Sequence, residues 1–344
     1  MTDNEARDII QNVKRDLGKR LVILGHHYQS DDVIAFADFT GDSLELARKA
    51  SQVQDAQYIV FCGVFFMAET AAILAPSKQV FIPDVSAGCP LADMAPADQV
   101  EAAWKVLAAL EPSLVPVTYV NSTAALKAFC GARGGAVCTS ANAGKVLAWA
   151  FSRGAKVLFM PDMNLGRNTG RAMGMGDDEM VLWDPALSGG GLNEWDIRRA
   201  RMVLWKSWCP VHCPVFTEED VLQVRERFPG VRIVVHPETD PATVKAAGEA
   251  GSTSQMLAAI EALPDGERLV VGTEAHMVKR SAREQKGRVE IVPLKEVYCD
   301  DMAKITLTRL ALTLMNLGSD LGRVVLPEGV ASDARRALEA MLRL

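Results

Sequence analysis

The residues able to do chemistry in this chain stand at the ends of short apolar runs. In RLVILGHHYQ (Arg20–Gln29) four apolar residues lead straight into Gly25, His26, His27 and Tyr28. LVPVTYVNS (Leu114–Ser122) and VRIVVHPE (Val231–Glu238) repeat the arrangement, so His26, Asn121 and His236 stand at three comparable tips. A short continuous apolar run is the pattern of a strand buried in a parallel sheet, and the exit from such a strand is where α/β proteins place reactive groups. About seventeen to nineteen residues beyond each tip a small hydroxyl opens a helical pattern: Ser43 in TGDSLELA, Ser140 in CTSANAGKVLAWAF, Thr253 in GSTSQMLAAI. That spacing suits the loop, helix and return of a βαβ unit.

Each group admits a catalytic and a plain structural reading. Pro237 holds φ fixed between His236 and Glu238, and a histidine displayed beside a carboxylate suits proton transfer. A lone histidine is more often a hydrogen-bonded structural residue, but His26 and His236 recur at equivalent tips. Tyr28 and Tyr119 are phenolic donors or packed rings. Ser43, Ser140 and Thr253 are N-caps, or else three helix N-termini aimed at one cavity to hold a small substrate with carboxylates or a phosphate.

The seven cysteines are too scattered for a disulfide scaffold. Cys62 and Cys130 sit in apolar stretches and read as packing residues, while Cys138 suits either role. Cys89 (SAGCPLADM), Cys209 (WKSWCPVH) and Cys299 (VYCDDM) occupy polar or turn-forming surroundings, with Cys213 four residues beyond Cys209. Three thiolates brought together can hold a metal or cluster and leave one position open. Without a C-x-x-C pair, spacing alone leaves independent structural cysteines as the competing reading.

Strands alternating with helical patterns predict an α/β protein of three pseudo-repeated αβα units with small parallel sheets around a central site. The expected divisions are a first unit with an N-terminal helix (1–105), a second with a long irregular connection (106–205), a third (206–298) and a helical C-terminal segment carrying Cys299 (299–344). Ile9, Ile10 and Val13 mark one face of the N-terminal helix, and Thr217 reads as an N-cap ahead of three acids. MNLGRNTGRAMGMGDDEM (163–180) has no period and predicts a surface loop over the site. LSGGGLNEWDIRRARMV predicts a flexible piece and a helix. CDDMAKITLTRLALTLMNL predicts one helix opening at Cys299, and Ser332 and Asp333 are cap candidates for the last.

A net charge of −6 argues against a sequence-independent grip on nucleic acid. No apolar run reaches the roughly 20 residues of a membrane helix, and the charged N-terminus lacks a signal-peptide core. A cytoplasmic enzyme without membrane or nucleic-acid partners is the expectation.

Taken together, GHHYQ, TGDSLELA, FMAETA, GCPLADM, YVNS, CTSANA, PDMNLGR, CPVH, HPE, GSTSQM, GTE and CDDMAKIT, in that order, resemble the quinolinate synthase (NadA) family of NAD biosynthesis. The resemblance covers nearly the whole chain. It implies three α/β units around a central site and one [4Fe-4S] cluster on Cys89, Cys209 and Cys299, with one iron open to substrate. The implied reaction condenses iminoaspartate with dihydroxyacetone phosphate to quinolinate, releasing phosphate and water, with the open iron as Lewis acid. The implied pocket comprises His26, Ser43, Tyr119, Asn121, Ser140, His236, Glu238 and Thr253. Glu238 would be the base, assisted by His236, Tyr28 and His26. A transient contact with an L-aspartate oxidase or dehydrogenase, as source of the unstable imine, is a further expectation. Two features depart from the family pattern: Cys213 is an alternative ligand to Cys209, and Cys299 stands without neighbouring cysteines. A zinc hydrolase using Cys, His and Glu, and an iron–sulfur sensor, are the competing functions. Radical chemistry with S-adenosylmethionine lacks its compact three-cysteine motif.

Overall fold

The computed structural model describes residues 1–154 and 156–344. Its strands form three sheets. The first contains β1 (Leu21–His26), β2 (Phe39–Gly41), β3 (Tyr58–Cys62) and β4 (Gln79–Phe81) in the order β2-β1-β3-β4. The second contains β5 (Leu114–Tyr119), β6 (Ala136–Cys138), β7 (Lys156–Met160), β8 (Met180–Trp183) and β9 (Met202–Trp205) in the order β6-β5-β7-β9-β8. The third contains β10 (Arg232–Val235), β11 (Arg268–Gly272) and β12 (Glu290–Pro293) in sequence order. Among the described residues every pairing within these sheets is parallel. A single parallel bridge from Val235 to Ala250 occupies the place that β2 and β6 take in the other sheets. The three sheets therefore share one plan, flanked by helices as repeated αβα units.

Parallel strands covered on both faces must be apolar along their length. Ile23, Leu24, Ile59, Val117, Phe159 and Leu204 accordingly have no exposed surface, in a core shared by the first two sheets and one face of the third. Phe216, Val221, Ile233, Val235 and Val270 form a separate small core on the third unit. In the C-terminal segment, the helix Leu307–Met315 packs on Asp3–Leu17, and Glu328–Arg343 lies along Ala124–Ala132. Among the described residues no helix is long and apolar enough to cross a membrane.

The chain departs from the sequence expectations in four places. Residues 163–180 are not a surface loop: Met163–Ala172 is a helix packed on the second sheet. Its buried face is built from Asn164, Leu165, Gly166, Asn168 and Gly170, so the glycines that hide the apolar period are the ones that allow close packing. A Cβ on Gly166 would meet Leu204 at 2.5 Å, and one on Gly170 would meet Met180 at the same distance. Second, β2, β8 and β9 are strands where the sequence pattern predicts loops or helices. β8 and β9 carry the same tetrapeptide, MVLW, and pair residue for like residue. Third, the helix after Cys299 breaks in two, Asp300–Ala303 and Leu307–Met315, where Thr306 caps the second piece. Fourth, Ser332 and Asp333 lie inside Glu328–Arg343 rather than at its start.

Candidate active site

The carboxyl ends of strands from all three sheets face one cavity of about 210 Å³. It is lined by His26, Tyr28, Ser43, Tyr119, Asn121, Ser140, His236, Glu238 and Thr253, together with Cys89, Cys209 and Cys299. His26 ends β1, Tyr119 ends β5, and His236 follows β10, so three equivalent strand exits supply the centre.

The tip histidines share a local device. His26 Nδ1 accepts the Tyr28 amide at 3.2 Å, and His236 Nδ1 accepts the Glu238 amide at 3.4 Å. Assigned from these bonds, each neutral ring carries its hydrogen on Nε2. Burial disfavours the charged forms: it takes His26 well below the usual histidine value, and His236 to about 3 with the help of His212. Both rings are thus neutral donors at physiological pH. Arg280 donates to the carbonyls of Gln29 (3.1 Å) and His27, holding the Tyr28 loop from the third unit.

Glu238 is buried, and His212 Nδ1 lies 2.8 Å from its Oε2. Burial alone would push the Glu238 carboxyl up, but His236 and the His212 hydrogen bond overcome it and hold the group well below the ordinary carboxylate range. The other oxygen, Oε1, is buried without a hydrogen-bond partner, as is Asn121 Oδ1. Two unsatisfied acceptors on the wall of one cavity are costly unless a ligand supplies donors. The turn that carries Glu238 is held from the second unit. Asn164 donates to the Glu238 carbonyl at 3.2 Å, and Asn168 to those of Pro237 and Thr239 at 2.8 and 2.9 Å.

None of the three hydroxyls belongs to an N-cap residue. Ser43 and Thr253 are the first residues of their helices, and the caps are Asp42 and Ser252. Ser140 lies two residues ahead of Asn142, the N-cap position of Ala143–Arg153. The three hydroxyls thus line the cavity beside helix N-termini, an arrangement that favours an anion.

Cys89 and Cys299 are the N-cap residues of short helical turns, and Cys209 opens another, its carbonyl accepting the amides of His212 and Cys213. In each case the amides of following residues favour the thiolate against burial: those of Leu91 and Ala92, of Val211, and of Asp301 and Met302. Burial nevertheless pushes the thiols up, Cys89 to about 12, Cys299 to about 11 and Cys209 well above its usual value. Thiolates there need a cation, and neighbouring backbone amides that favour the ionised sulfur suit metal-bound thiolates. Cys213 is buried outside the cavity lining, as are Cys62, Cys130 and Cys138.

Residues 8–343 match the family model described as quinolinate synthetase A protein. The chain belongs to that family. It is 45% identical to the quinolinate synthase of Acidobacterium capsulatum, over all of this chain and 94% of the relative. It is 46% identical to that of Corynebacterium glutamicum, over 99% of this chain and 88% of the relative. With that of Nocardioides sp. it shares 47% identity, over 96% of this chain and 87% of the relative.

The family implies an iron–sulfur cofactor, and the residues present fit one. Three soft donors come from three separate segments to one cavity, none of the other four cysteines lines it, and amides support each sulfur.

Several residues that the fold brings to the site stand in motifs of the sequence but were given no role there. His212 stands beside a cysteine in the chain, yet its partner in the fold is Glu238. Thr273, in the GTE segment, bonds to both Tyr28 and His212. Asp162 accepts the Cys209 amide at 3.1 Å and caps Met163–Ala172. Asp-before-helix is a capping signal in the sequence; the asparagines of that glycine-rich helix give none.

Proposed function

We propose that the chain makes quinolinate from iminoaspartate and dihydroxyacetone phosphate, releasing phosphate and water, as a carbon–carbon bond-forming transferase of NAD biosynthesis. The observation that carries this reading is the meeting, in one cavity, of three amide-supported thiols with Glu238, the tip histidines and three helix-start hydroxyls.

In this reading Cys89, Cys209 and Cys299 hold one [4Fe-4S] cluster, whose uncoordinated iron, when bound, supplies a Lewis acid to a substrate oxygen or nitrogen. Ser43, Ser140 and Thr253, with the helix N-termini beside them, bind carboxylate and phosphate groups. Asn121 Oδ1 takes an N–H or O–H of the substrate. His26 and His236 donate from Nε2 to carbonyl or hydroxyl oxygens. Glu238 removes protons through Oε1, and Tyr28 and Tyr119 hold substrate oxygens. The division into units at 1–105, 106–205, 206–298 and 299–344, a cytoplasmic location, and a transient contact with the enzyme that supplies the imine belong to the same proposal.

Iron, acid-labile sulfide and quinolinate formation, measured together on anaerobically purified protein, test it. Iron and sulfide in equal amount, with quinolinate formed from the two substrates, is the expected result. One observation favours a second reading: donor atoms of Cys209, His212 and Glu238 lie within 4.8 Å of one another, a set that suits zinc. Zinc without sulfide, and no quinolinate, would put a hydrolase first.

A further inference from the structure

Asn121 presents an acceptor that nothing in the fold satisfies: its Oδ1 is buried on the cavity wall without a hydrogen-bond partner. Its use to a ligand depends on where the backbone holds it, and Asn121 lies in the bend between β5 and the helix Ala124–Ala132, outside any strand. The bonds that shape this bend fall on its neighbours. The Val120 amide donates to the Cys138 carbonyl at 2.8 Å, and the Ser122 amide donates to the Val120 carbonyl at the same distance. Ser122 Oγ donates to the Tyr119 carbonyl at 2.7 Å, while the Ser122 carbonyl accepts from Lys127 Nζ.

Lys127 makes that bond from an unfavourable place. It has no exposed surface, and as the fourth residue of Ala124–Ala132 it stands at the positive end of the helix dipole. Burial brings the ammonium down to about 8 against the pull of Glu69 and Cys89, so it stays charged at neutral pH. Glu69, from the helix Phe65–Leu74 of the first unit, offsets both costs. Its Oε2 accepts the Ala124 amide at 3.0 Å, at the helix end that favours an anion. Burial pushes the Glu69 carboxyl up, and Lys127 and the Ala124 amide oppose it. The ammonium also lies 5.2 Å from the centroid of the Phe66 ring, and Phe66 lines the cavity. Among the described residues no lysine or arginine is itself in that lining, so Lys127 stands one layer behind the wall.

We propose that Lys127, anchored by Glu69, is the positioning residue that sets Asn121 Oδ1 against the substrate. Ser122 is pinned on two sides, by its hydroxyl to Tyr119 and by its carbonyl to Lys127, and Asn121 is carried between Ser122 and the end of β5. A charged donor holds that carbonyl more firmly than a neutral one, and Glu69 ties the arrangement to the first unit. Lys127 touches no substrate atom in this role. The inference rests on the function proposed above, with Asn121 Oδ1 taking an N–H or O–H of a substrate.

The experiment compares Lys127→Met, the double variant Glu69→Gln with Lys127→Met, and Asn121→Ala alone and combined with Lys127→Met, all as anaerobically purified holoenzyme. Methionine keeps the length of the chain without donor or charge. Adding Glu69→Gln removes the carboxylate left unpaired while keeping an acceptor for Ala124, so the double variant reports on position should the single one fail to fold. Iron and sulfide content, kcat, and KM for each substrate are read. Asn121→Ala should raise one of the two KM values by a few-fold to about tenfold, the scale of one hydrogen bond. Lys127→Met and the double variant should raise the same KM, by no more than that, with kcat less affected and the cluster retained. Adding Lys127→Met to Asn121→Ala should raise it no further, because Lys127 acts through Asn121. Unchanged KM in the double variant would overturn the proposal. So would full additivity with Asn121→Ala, or loss of the cluster from the double variant, since Lys127 would then serve something other than Asn121. A wild-type enzyme that forms no quinolinate would instead sink the function on which the inference rests.

Discussion

Ser254 Oγ donates to Asp42 Oδ2 across 2.6 Å, although the two lie 212 positions apart in the chain. The other oxygen of Asp42 caps the helix Ser43–Gln52, accepting the amides of Leu44 and Glu45 at 2.9 and 3.0 Å. One carboxylate therefore locks together two of the helix starts that line the cavity, one from the first unit and one from the third. Ser254→Ala should remove a charge-assisted bond that contributes about 1.5–3 kcal/mol. It should also raise KM for the proposed phosphate-bearing substrate with a smaller change in kcat. Denaturant unfolding and steady-state kinetics check the two parts, and unchanged values for both would show that the tie does nothing.

Glu238→Gln keeps the shape of the side chain and an oxygen that can accept from His212, but removes the proposed base. Turnover should drop by roughly 10²- to 10⁴-fold with KM nearly unchanged. Wild-type kcat in the variant would remove Glu238 from the mechanism.

Cys89→Ala, Cys209→Ala and Cys299→Ala should each lose the cluster, read as iron and sulfide falling from about four of each per chain. Cys213→Ala should keep it, because Cys213 is buried outside the cavity lining. Retention in the Cys209 variant and loss in the Cys213 variant would exchange the two assignments.

The C-terminal helix depends on a missing side chain. A Cβ on Gly131 would stand 1.8 Å from the Asp333 carbonyl oxygen, where Ala124–Ala132 and Glu328–Arg343 run side by side. Gly131→Ala must push these helices apart, at a cost of about 1–3 kcal/mol. A lowered melting temperature is expected, and a variant as stable as wild type would mean that the helices separate freely.

His27 should make the fold acid-sensitive. Its side chain is 14% exposed, and burial, followed by the Arg280 charge, brings it down to about 4 against the opposing pull of Asp42. An unfolded imidazole titrates near 6.5, and each tenfold weakening of its hold on the proton corresponds to roughly 1.4 kcal/mol. The unfolded chain therefore binds the proton first. This contribution is complete above the unfolded value and is lost as pH falls from there through the folded one. The advantage of wild type over His27→Gln should shrink across that window in denaturant titrations. Parallel curves for the two proteins would refute it.

Much of the fold was legible because parallel strands are encoded locally. The apolar runs that end at His26, Asn121 and His236 need no partner to be recognised as buried strands. The same locality hid β8 and β9: four residues are too few to show a period, and the repeated MVLW gains its meaning only once the two strands are seen to pair. The helix Met163–Ala172 was invisible for the opposite reason. Its contact face is made of glycine and asparagine, which suit close packing and backbone hydrogen bonding across units but carry no hydrophobic signature.

The site divides along the same line. Residue type and position along the chain were enough to pick out Glu238, the tip histidines, the helix-start hydroxyls and the three polar-context cysteines, because each stands at a strand exit or helix start that its own neighbours define. What joins them is not local. The bond between Tyr28 and Thr273 spans 245 positions and that between His212 and Thr273 spans 61. Such hydrogen bonds form only once the three sheets have packed, since neither partner's neighbours in sequence specify the other. Which oxygen of Glu238 meets His212, and which is left bare to the cavity, was therefore decided by tertiary packing alone.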